Sequence, residues 1–389
     1  MPSRSDIDWP TVLIAPASNL LPSMVVATLG IALPEVRQAL RLSEVEAGSL
    51  FSVIFIIAVV GSAIAGRLSD KIGRKVVLIV GISSLSLGFA LSGFAQNYAA
   101  MVPVLGLAGL GYGFTTPSLY ALMSDLLPGR RGLGSSLVSV SYGIGISLGS
   151  VLASSIIASS GWQAAFFTVG ILGAAIAAIE MVKIPNASQG QPRRLQAPYR
   201  KTLSRTLVLL GLAELFGGSV FWSSASWTAT VLRTAKELTL SETGFVMGLW
   251  GLTPMIGALL LGPLSDRFGR KAVILCSAYP GAVAAFIVYY LLTSPLSLAL
   301  GLVLFGILKA SVPTLIVALA QDSTSVETAG TASGVVMSMH YVSAVVAPVV
   351  SAKLIASTGD MIFTMILTSS LPLVVYGCFI AAVREKPRA

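Results

Sequence analysis

The sequence has 389 residues, of which 55% are hydrophobic and 11% are charged, and its mean hydropathy is +0.87. Soluble domains carry about 25% charged residues, so this composition excludes an ordinary water-soluble protein and indicates a surface that faces lipid. A formal net charge of +9 would favour nucleic acid as the partner of a soluble protein. In a membrane protein the location of the charges matters more than their sum, so we expect the lipid bilayer as a partner and no nucleic acid.

Apolar runs of about 20 residues are long enough to cross the hydrocarbon core as helices. Twelve such runs are predicted, at 10–33, 45–66, 75–95, 98–124, 133–158, 162–182, 206–232, 242–263, 272–292, 296–320, 331–354 and 360–383. The N-terminus shows no cleavage site typical of a signal peptide. The sequence therefore predicts an all-α polytopic membrane protein with twelve transmembrane helices. It forms two six-helix bundles, 1–182 and 206–389, joined by the basic, proline-containing linker 183–205.

The placement of lysine and arginine predicts the orientation, because cytoplasmic segments are enriched in both residues. With the N-terminus in the cytoplasm, 19 of the 25 lysines and arginines fall in cytoplasmic segments and five fall outside. The remaining one, Lys309, lies inside the tenth run. We therefore expect a multi-pass protein of the plasma (inner) membrane with both termini in the cytoplasm.

A charged decapeptide between two apolar runs, Gly66–Lys75, returns 196 residues later as Gly262–Lys271. Pro117 in the fourth run and Pro313 in the tenth have the same separation. Two copies in the same hydropathy context, half a chain apart, indicate an internal duplication.

The doubled decapeptide, the loop 125–132 and the entry to the sixth run at 161–166 resemble the major facilitator superfamily of secondary transporters. The resemblance implies two homologous halves around a central cavity that opens to one side at a time, lined by helices one, four, seven and ten. Two departures count against a proton-driven multidrug exporter. The glycine-rich stretch 105–113 lacks the preceding arginine of many proton-coupled members, and Ser150 stands where drug–proton antiporters have proline.

The two decapeptides predict a gate at the cytoplasmic ends of the helices. The glycine that opens each copy would let helices approach closely, and the aspartate four positions on would accept backbone N–H groups of a facing helix. The arginine of each copy would pair with the aspartate that ends the next even-numbered span when the halves close. A simple basic turn is the alternative. The predicted gate residues are Gly66, Asp70, Arg74, Asp125, Arg131, Gly262, Asp266, Arg270 and Asp322.

Three ionisable residues fall inside apolar runs and away from the run ends, where a charge costs at least about 2.5–3.5 kcal/mol and therefore usually faces a cavity or a partner. Lys309 is predicted to bind substrate or coupling ion, with a structural ion pair to Glu214 as the alternative. Glu214 and His340, the only histidine, are candidates for proton coupling, and a packing role is the alternative for the histidine. Glu180, near a predicted helix end, is interpreted as interfacial.

Polar and aromatic residues at similar depth complete the predicted substrate or proton-coupling site, with packing as the alternative for each. They are Asn19, Tyr112, Thr115, Thr116, Tyr142, Trp222 and Trp227. As a set they indicate a mostly apolar cavity with few charges, which fits a small organic anion or amphiphile better than a sugar.

These observations predict a secondary active transporter of a small organic anion that works by alternating access, with protons as the candidate coupling ion in symport. A proton-coupled efflux pump for lipophilic compounds is the alternative, and a membrane sensor or scaffold is a third. No catalytic triad or metal-binding spacing can be assembled, so we expect no enzyme activity, no cofactor and no metal, and a monomer as the working state. Cys276 and Cys378 are interpreted as buried free thiols.

Overall fold

The computed structural model describes residues 8–127, 131–184, 204–324 and 329–383. Within these ranges the regular secondary structure is entirely helical.

The N-terminal part contains six α-helices and one short 3₁₀ segment. They are α1 (Trp9–Ile14), the 3₁₀ segment Ala15–Asn19, α2 (Leu20–Leu40), α3 (Glu44–Ile72), α4 (Arg74–Ser92), α5 (Tyr98–Leu126) and α6 (Arg131–Lys183). Pro16 contributes to the 3₁₀ segment because it has no N–H to donate to the carbonyl four residues before it. The first apolar run is therefore one span in three pieces.

The C-terminal part contains eight α-helices and one π-helical turn. They are α7 (Arg205–Thr234), α8 (Leu240–Gly251), α9 (Thr253–Phe268), α10 (Arg270–Phe286), the π turn Ile287–Leu291, α11 (Pro295–Lys309), α12 (Ser311–Asp322), α13 (Ala329–Thr358) and α14 (Met361–Ala382).

In the described ranges, 11 continuous helical segments are long and apolar enough to cross a membrane. One of them, Leu133–Lys183, has 51 residues, or about 77 Å of helix, which is more than twice the ~30 Å thickness of a hydrocarbon core. Gly161 divides it with a φ of 84° and a ψ of 168°. The fifth and sixth spans thus form one run with a break, and the prediction of a twelve-helix all-α membrane fold is confirmed.

Two of the spans are broken by proline. Pro254 and Pro313 have no N–H, so the carbonyls of Trp250 and Lys309 receive no intrahelical hydrogen bond. The eighth span accordingly divides into α8 and α9, and the tenth divides into α11 and α12 at Ala310. Lys309 is the last residue of α11.

The two decapeptides adopt the same backbone turn. Gly73 separates α3 from α4 with a φ of 95° and a ψ of 146°. Gly269 separates α9 from α10 with a φ of 96° and a ψ of 140°. These backbone angles are accessible to glycine and costly for other residues, so the duplication seen in the sequence extends to the backbone.

Glycines of α5 bring it into direct contact with α3 and α4. A Cβ added at Gly109 would lie 2.3 Å from the carbonyl oxygen of Ile54 on α3. One added at Gly111 would lie 2.3 Å from the backbone nitrogen of Leu85 on α4. The glycines of this stretch therefore allow close packing of the three helices.

The chain divides into two compact units. The first unit is Met1–Pro192 together with Thr239–Gly251, and the second is Arg193–Leu238 together with Leu252–Ala389. The helix α8 packs against α6 within the first unit, where a Cβ at Gly244 would lie 1.9 Å from the Ser154 hydroxyl.

The two cysteines are free, as predicted, but the expectation that they are buried was wrong. Cys276 on α10 and Cys378 on α14 are both exposed on the surface of the second unit. An apolar sequence context does not distinguish a helix face in the core from one that contacts lipid, because lipid is itself an apolar solvent.

Candidate functional site

One face of α7 carries the centre of the candidate site in the second unit. Glu214, Gly217, Gly218, Phe221 and Trp222 follow the spacing of a single helical face. The two glycines allow close packing around the acid. A Cβ at Gly217 would lie 3.0 Å from the ring of Tyr376 on α14, and one at Gly218 would lie 3.0 Å from the His340 ring on α13.

Glu214 and His340 form a hydrogen-bonded pair between α7 and α13. The Glu214 carboxyl has no exposed surface, and its Oε1 lies 2.7 Å from Nδ1 of His340. The histidine side chain is 12% exposed. In the described structure His340 is the hydrogen-bonding partner of Glu214, so the alternative of a Glu214–Lys309 ion pair is not realised. The pair therefore places a titratable group within a membrane-spanning helix bundle.

Lys309 contacts the ring of Phe221, a residue on the same face of α7 as Glu214. Its side chain is 3% exposed, and its Nζ lies 4.3 Å from the centre of the Phe221 ring. A desolvated cation–π contact of this kind contributes about 2 kcal/mol. Because Lys309 ends α11, the negative end of the helix dipole also favours its ammonium.

Aromatic rings connect the lysine to the histidine. The Trp222 ring centre is 5.7 Å from that of His340, and the Phe221 ring centre is 6.3 Å from it. Phe221 was absent from the predicted site. Its position seven residues after Glu214, on the same face of α7, is the sequence signal that could have identified it.

The structure therefore brings four of the predicted site residues into one cluster. The other predicted site residues lie outside it. Glu214, Trp222, Lys309 and His340, with Phe221 added, are here called the C-terminal cluster. Trp227 lies on the same helix but is fully buried, and its Nε1 donates to the Pro348 carbonyl at 3.0 Å. This geometry assigns Trp227 to helix packing.

The predicted site residues of the first unit make helix-packing contacts within that unit. Asn19 Nδ2 donates to the Val138 carbonyl at 2.9 Å, and the Thr115 hydroxyl donates to the Gly111 carbonyl at 2.8 Å. Tyr112 is buried with its ring 5.3 Å from that of Phe55. The two remaining residues, Thr116 and Tyr142, are half-buried on α5 and α6.

In the N-terminal decapeptide, the arginine makes the predicted pairing. Arg74 forms an ion pair with Asp125 and donates to the Ala121 carbonyl on the last turns of α5. Both partners belong to the first unit, so the pair joins neighbouring spans. The side chains of Asp70 and Arg131 lie outside the described part of the structure.

The C-terminal copy repeats this arrangement inside the second unit. Arg270 forms an ion pair with Asp322 at the end of α12, and its Nη1 lies 3.7 Å from a carboxylate oxygen of Asp266. The same Nη1 is 3.5 Å from the Ser265 hydroxyl. The arginine of each decapeptide is thus close to the predicted aspartate.

In the described part of the structure the opening glycines make no close contact with a neighbouring helix. A Cβ at Gly66 or Gly262 would meet no heavy atom of the described residues within 4 Å. The glycine that each decapeptide needs for its backbone is instead the later one, Gly73 or Gly269, at the turn.

Glu180, interpreted from the sequence as interfacial, is buried inside the first unit. The residue lies three positions before the end of α6, but its side chain has no exposed surface. The Ser18 hydroxyl of the 3₁₀ segment is its polar partner. The neighbouring first span covers this position.

A cavity of about 730 Å³ lies beside α10 and α11, and none of the described residues that line it is charged. It is lined mainly by apolar side chains such as Val283, Ile287 and Leu304, all of which are exposed on the outer surface. It offers no charged group to a solute, so the C-terminal cluster is the better candidate site.

The fold and the buried charged cluster define a polytopic membrane protein with polar chemistry inside its helix bundle. The Major Facilitator Superfamily profile matches residues 17–235 and 207–389, and the chain belongs to this family. The protein is therefore a membrane transporter and not an enzyme.

Curated relatives and solved structures agree with this assignment. The chain is 23% identical over 311 residues to the 4-hydroxybenzoate transporter of Pseudomonas aeruginosa, covering 69% of each chain. It is 28% identical over 358 residues to the gentisate transporter of Corynebacterium glutamicum, covering 86% of this chain and 79% of the relative. The crystal structure of the nucleoside transporter NupG aligns with a TM-score of 0.82 and 14% identity over 97% of this chain and 99% of that one, which supports the fold alone.

Proposed function

We propose that this transporter carries a small organic anion, specifically a hydroxylated aromatic carboxylate, and that the C-terminal cluster binds it. The observation that carries the proposal is a lysine ammonium held on an aromatic ring inside the membrane-spanning bundle, 4.3 Å from the ring centre of Phe221. A substrate carboxylate would form a charge-assisted pair with Lys309. The rings of Phe221 and Trp222 would then pack against the aromatic part of the substrate.

Two relatives support this class of substrate. Their names describe transport of 4-hydroxybenzoate and gentisate, which are both aromatic carboxylates with ring hydroxyl groups. A cluster with one cation, several rings and one carboxyl–imidazole pair has the complementary chemistry for such a molecule.

Proton coupling is proposed at the Glu214–His340 pair. The two groups are 2.7 Å apart and can share a proton across this contact. Binding an anion together with a proton adds no net charge to the buried site, and an uncompensated charge there is costly. We therefore propose symport of the anion with a proton by alternating access.

The remaining parts of the proposal rest on the sequence. The 19 to 5 distribution of lysine and arginine supports the proposal that both termini lie in the cytoplasm, and we place the protein in the plasma membrane. The two halves are proposed to be 1–182 and 206–389, joined by the cytoplasmic linker 183–205, in a monomer. The ion pairs Arg74–Asp125 and Arg270–Asp322 are proposed to act at the cytoplasmic gate.

The test is uptake of labelled 4-hydroxybenzoate and gentisate into vesicles that contain the purified protein, under an inward proton gradient. One charge-assisted interaction contributes about 1.5–3 kcal/mol, so Lys309→Gln is expected to lower the apparent affinity about ten- to hundredfold. Lys353→Gln is the matched control, because Lys353 is an exposed lysine on a spanning helix, α13. It is expected to transport like the wild type.

Two results would contradict the proposal. The first is normal uptake by the Lys309→Gln variant. The second is a wild-type protein whose melting temperature rises with lipophilic cations and not with either aromatic acid, because a true ligand stabilises the folded state by mass action. That second result would favour the efflux pump for lipophilic compounds.

A further inference from the structure

The first unit contains a second fully buried carboxyl group, that of Glu180 on α6. The hydroxyl of Ser18 lies 2.8 Å from Oε1 and 3.0 Å from Oε2 of this glutamate. Both side chains have no exposed surface. Within the described residues Glu180 forms no ion pair with a lysine, arginine or histidine.

The hydrogen bonds around Ser18 indicate where the proton lies. The Ser18 oxygen is also 2.5 Å from the Ala15 carbonyl oxygen, which can only accept. A hydroxyl has one proton. If that proton goes to the Ala15 carbonyl, an ionised Glu180 would place two acceptors against each other. A protonated Glu180 instead donates to the Ser18 oxygen, while the Ser18 hydroxyl donates to the Ala15 carbonyl, so neither contact sets two acceptors against each other.

The charges of the packed elements do not offset an ionised Glu180. The segments that contact α6 are α1, α2, the 3₁₀ segment, α4, α5 and α8. Their charged residues lie near their ends, and none is within ion-pair distance of Glu180. The charged and other titratable residues of these segments and of α6 are Asp8, Glu35, Arg37, Arg74, Lys75, Tyr98, Tyr112, Tyr120, Asp125, Arg131, Tyr142, Lys183 and Glu242.

Ser18 occupies the position in the first unit that Glu214 occupies in the second unit. Ser18 and Glu214 are 196 residues apart, the separation of the two decapeptides, and each is the tenth residue of its span, counted from Trp9 or Arg205. The second unit supplies the carboxyl from this position and pairs it with histidine. The first unit supplies a hydroxyl there and takes the carboxyl from α6.

From these observations we propose that Glu180 is a proton-binding site of the first unit. In the structure described, the bound proton bridges Glu180 and Ser18 and thereby holds the 3₁₀ segment Ala15–Asn19 against α6. Loss of the proton to water leaves a carboxylate that the Ser18 hydroxyl cannot satisfy while it also bonds to the Ala15 carbonyl. Deprotonation therefore requires the first span to move away from α6 or water to enter.

The experiment is infrared spectroscopy of the purified full-length protein in detergent near neutral pH, without any substrate, so it does not depend on the proposed transport function. The wild type is expected to show the C=O stretching band of a protonated carboxylic acid, part of which is lost in Glu180→Gln. Ser18→Ala is expected to keep the band but shift it to higher frequency, because the acid loses its acceptor. Glu237→Gln, an exposed acid, is the control and is expected to leave the band unchanged.

Identical spectra of the wild type and Glu180→Gln in this region would overturn the proposal, because they would mean that Glu180 is ionised. If Glu180→Gln does not yield folded protein, the frequency of the C=O band in Ser18→Ala provides the test of the proposal. An unchanged band in that variant would equally overturn the proposal.

Discussion

Replacing His340 by leucine tests how much the hydrogen bond between Glu214 and His340 contributes to stability. Leucine fills a similar volume but offers neither a donor nor an acceptor. The change leaves the Glu214 carboxyl, which has no exposed surface, without its hydrogen-bond partner at 2.7 Å. Its other oxygen, Oε2, has no hydrogen-bond partner among the described residues either. The variant therefore isolates one fully buried acid.

The expected cost follows from this burial. Removing one partner of a buried, hydrogen-bonded charged pair costs about 3–5 kcal/mol, because the other group keeps its desolvation penalty without compensation. His340→Leu should thus shift the unfolding equilibrium by more than about a hundredfold, at about 1.4 kcal/mol per tenfold change. The double variant Glu214→Gln/His340→Leu removes the buried acid as well and should recover about 1–3 kcal/mol of that loss.

The assay is equilibrium unfolding of the wild type, both single variants and the double variant in mixed micelles, followed by tryptophan fluorescence and circular dichroism. The double-mutant cycle gives the coupling energy directly. Glu237→Gln controls for the loss of a negative charge at an exposed site. Additive effects of the two substitutions, with a coupling near zero, would refute the idea that Glu214 depends on His340.

Two further predictions use matched glycines and the same unfolding assay. Gly111→Ala should cost about 1–3 kcal/mol, because its Cβ would lie 2.3 Å from the Leu85 nitrogen, whereas Gly106→Ala should cost nothing, since its Cβ would lie 3.9 Å from Ile57. Equal stabilities of these two variants would contradict the packing of α5 on α4. Gly269→Ala should cost about 1–3 kcal/mol because of its φ of 96°, whereas Gly262→Ala in the same decapeptide should stabilise α9 by about 0.5–1 kcal/mol. A destabilised Gly262→Ala protein would contradict the open space around the Gly262 Cβ position.

The number of spans, the ion pairs of the two decapeptides and the duplicated turn could be predicted from the sequence. The number of spans follows from the length of apolar runs, since a helix must cross a layer of fixed thickness. The pairing of Arg74 with Asp125, and of Arg270 with Asp322, follows from short connections that place consecutive helix ends side by side. The duplicated turn at Gly73 and Gly269 follows from the repeated motif.

Features that depend on how helices rotate against each other could not be predicted. The depth of Lys309 and Glu214 was evident, but an ion pair between them was as consistent with the sequence as the observed contacts with Phe221 and His340. The burial of Glu180 could not be predicted for the same reason, because exposure at a helix end depends on the neighbouring span. Apolar faces toward lipid and toward the core have the same composition, so periodicity gives little guidance in a membrane protein.

The proline break in the tenth span provides a point at which this span could bend. The joint at Ala310 lies between Lys309, the last residue of α11, and the 12-residue α12, whose far end carries Asp322. At 1.5 Å per residue, α12 is a lever arm of about 18 Å, so a bend of about 10° at the joint moves its far end by about 3 Å. A displacement of that size exceeds the tolerance of an ion pair. A bend of this size at Ala310, next to Lys309, would therefore separate Arg270 from Asp322.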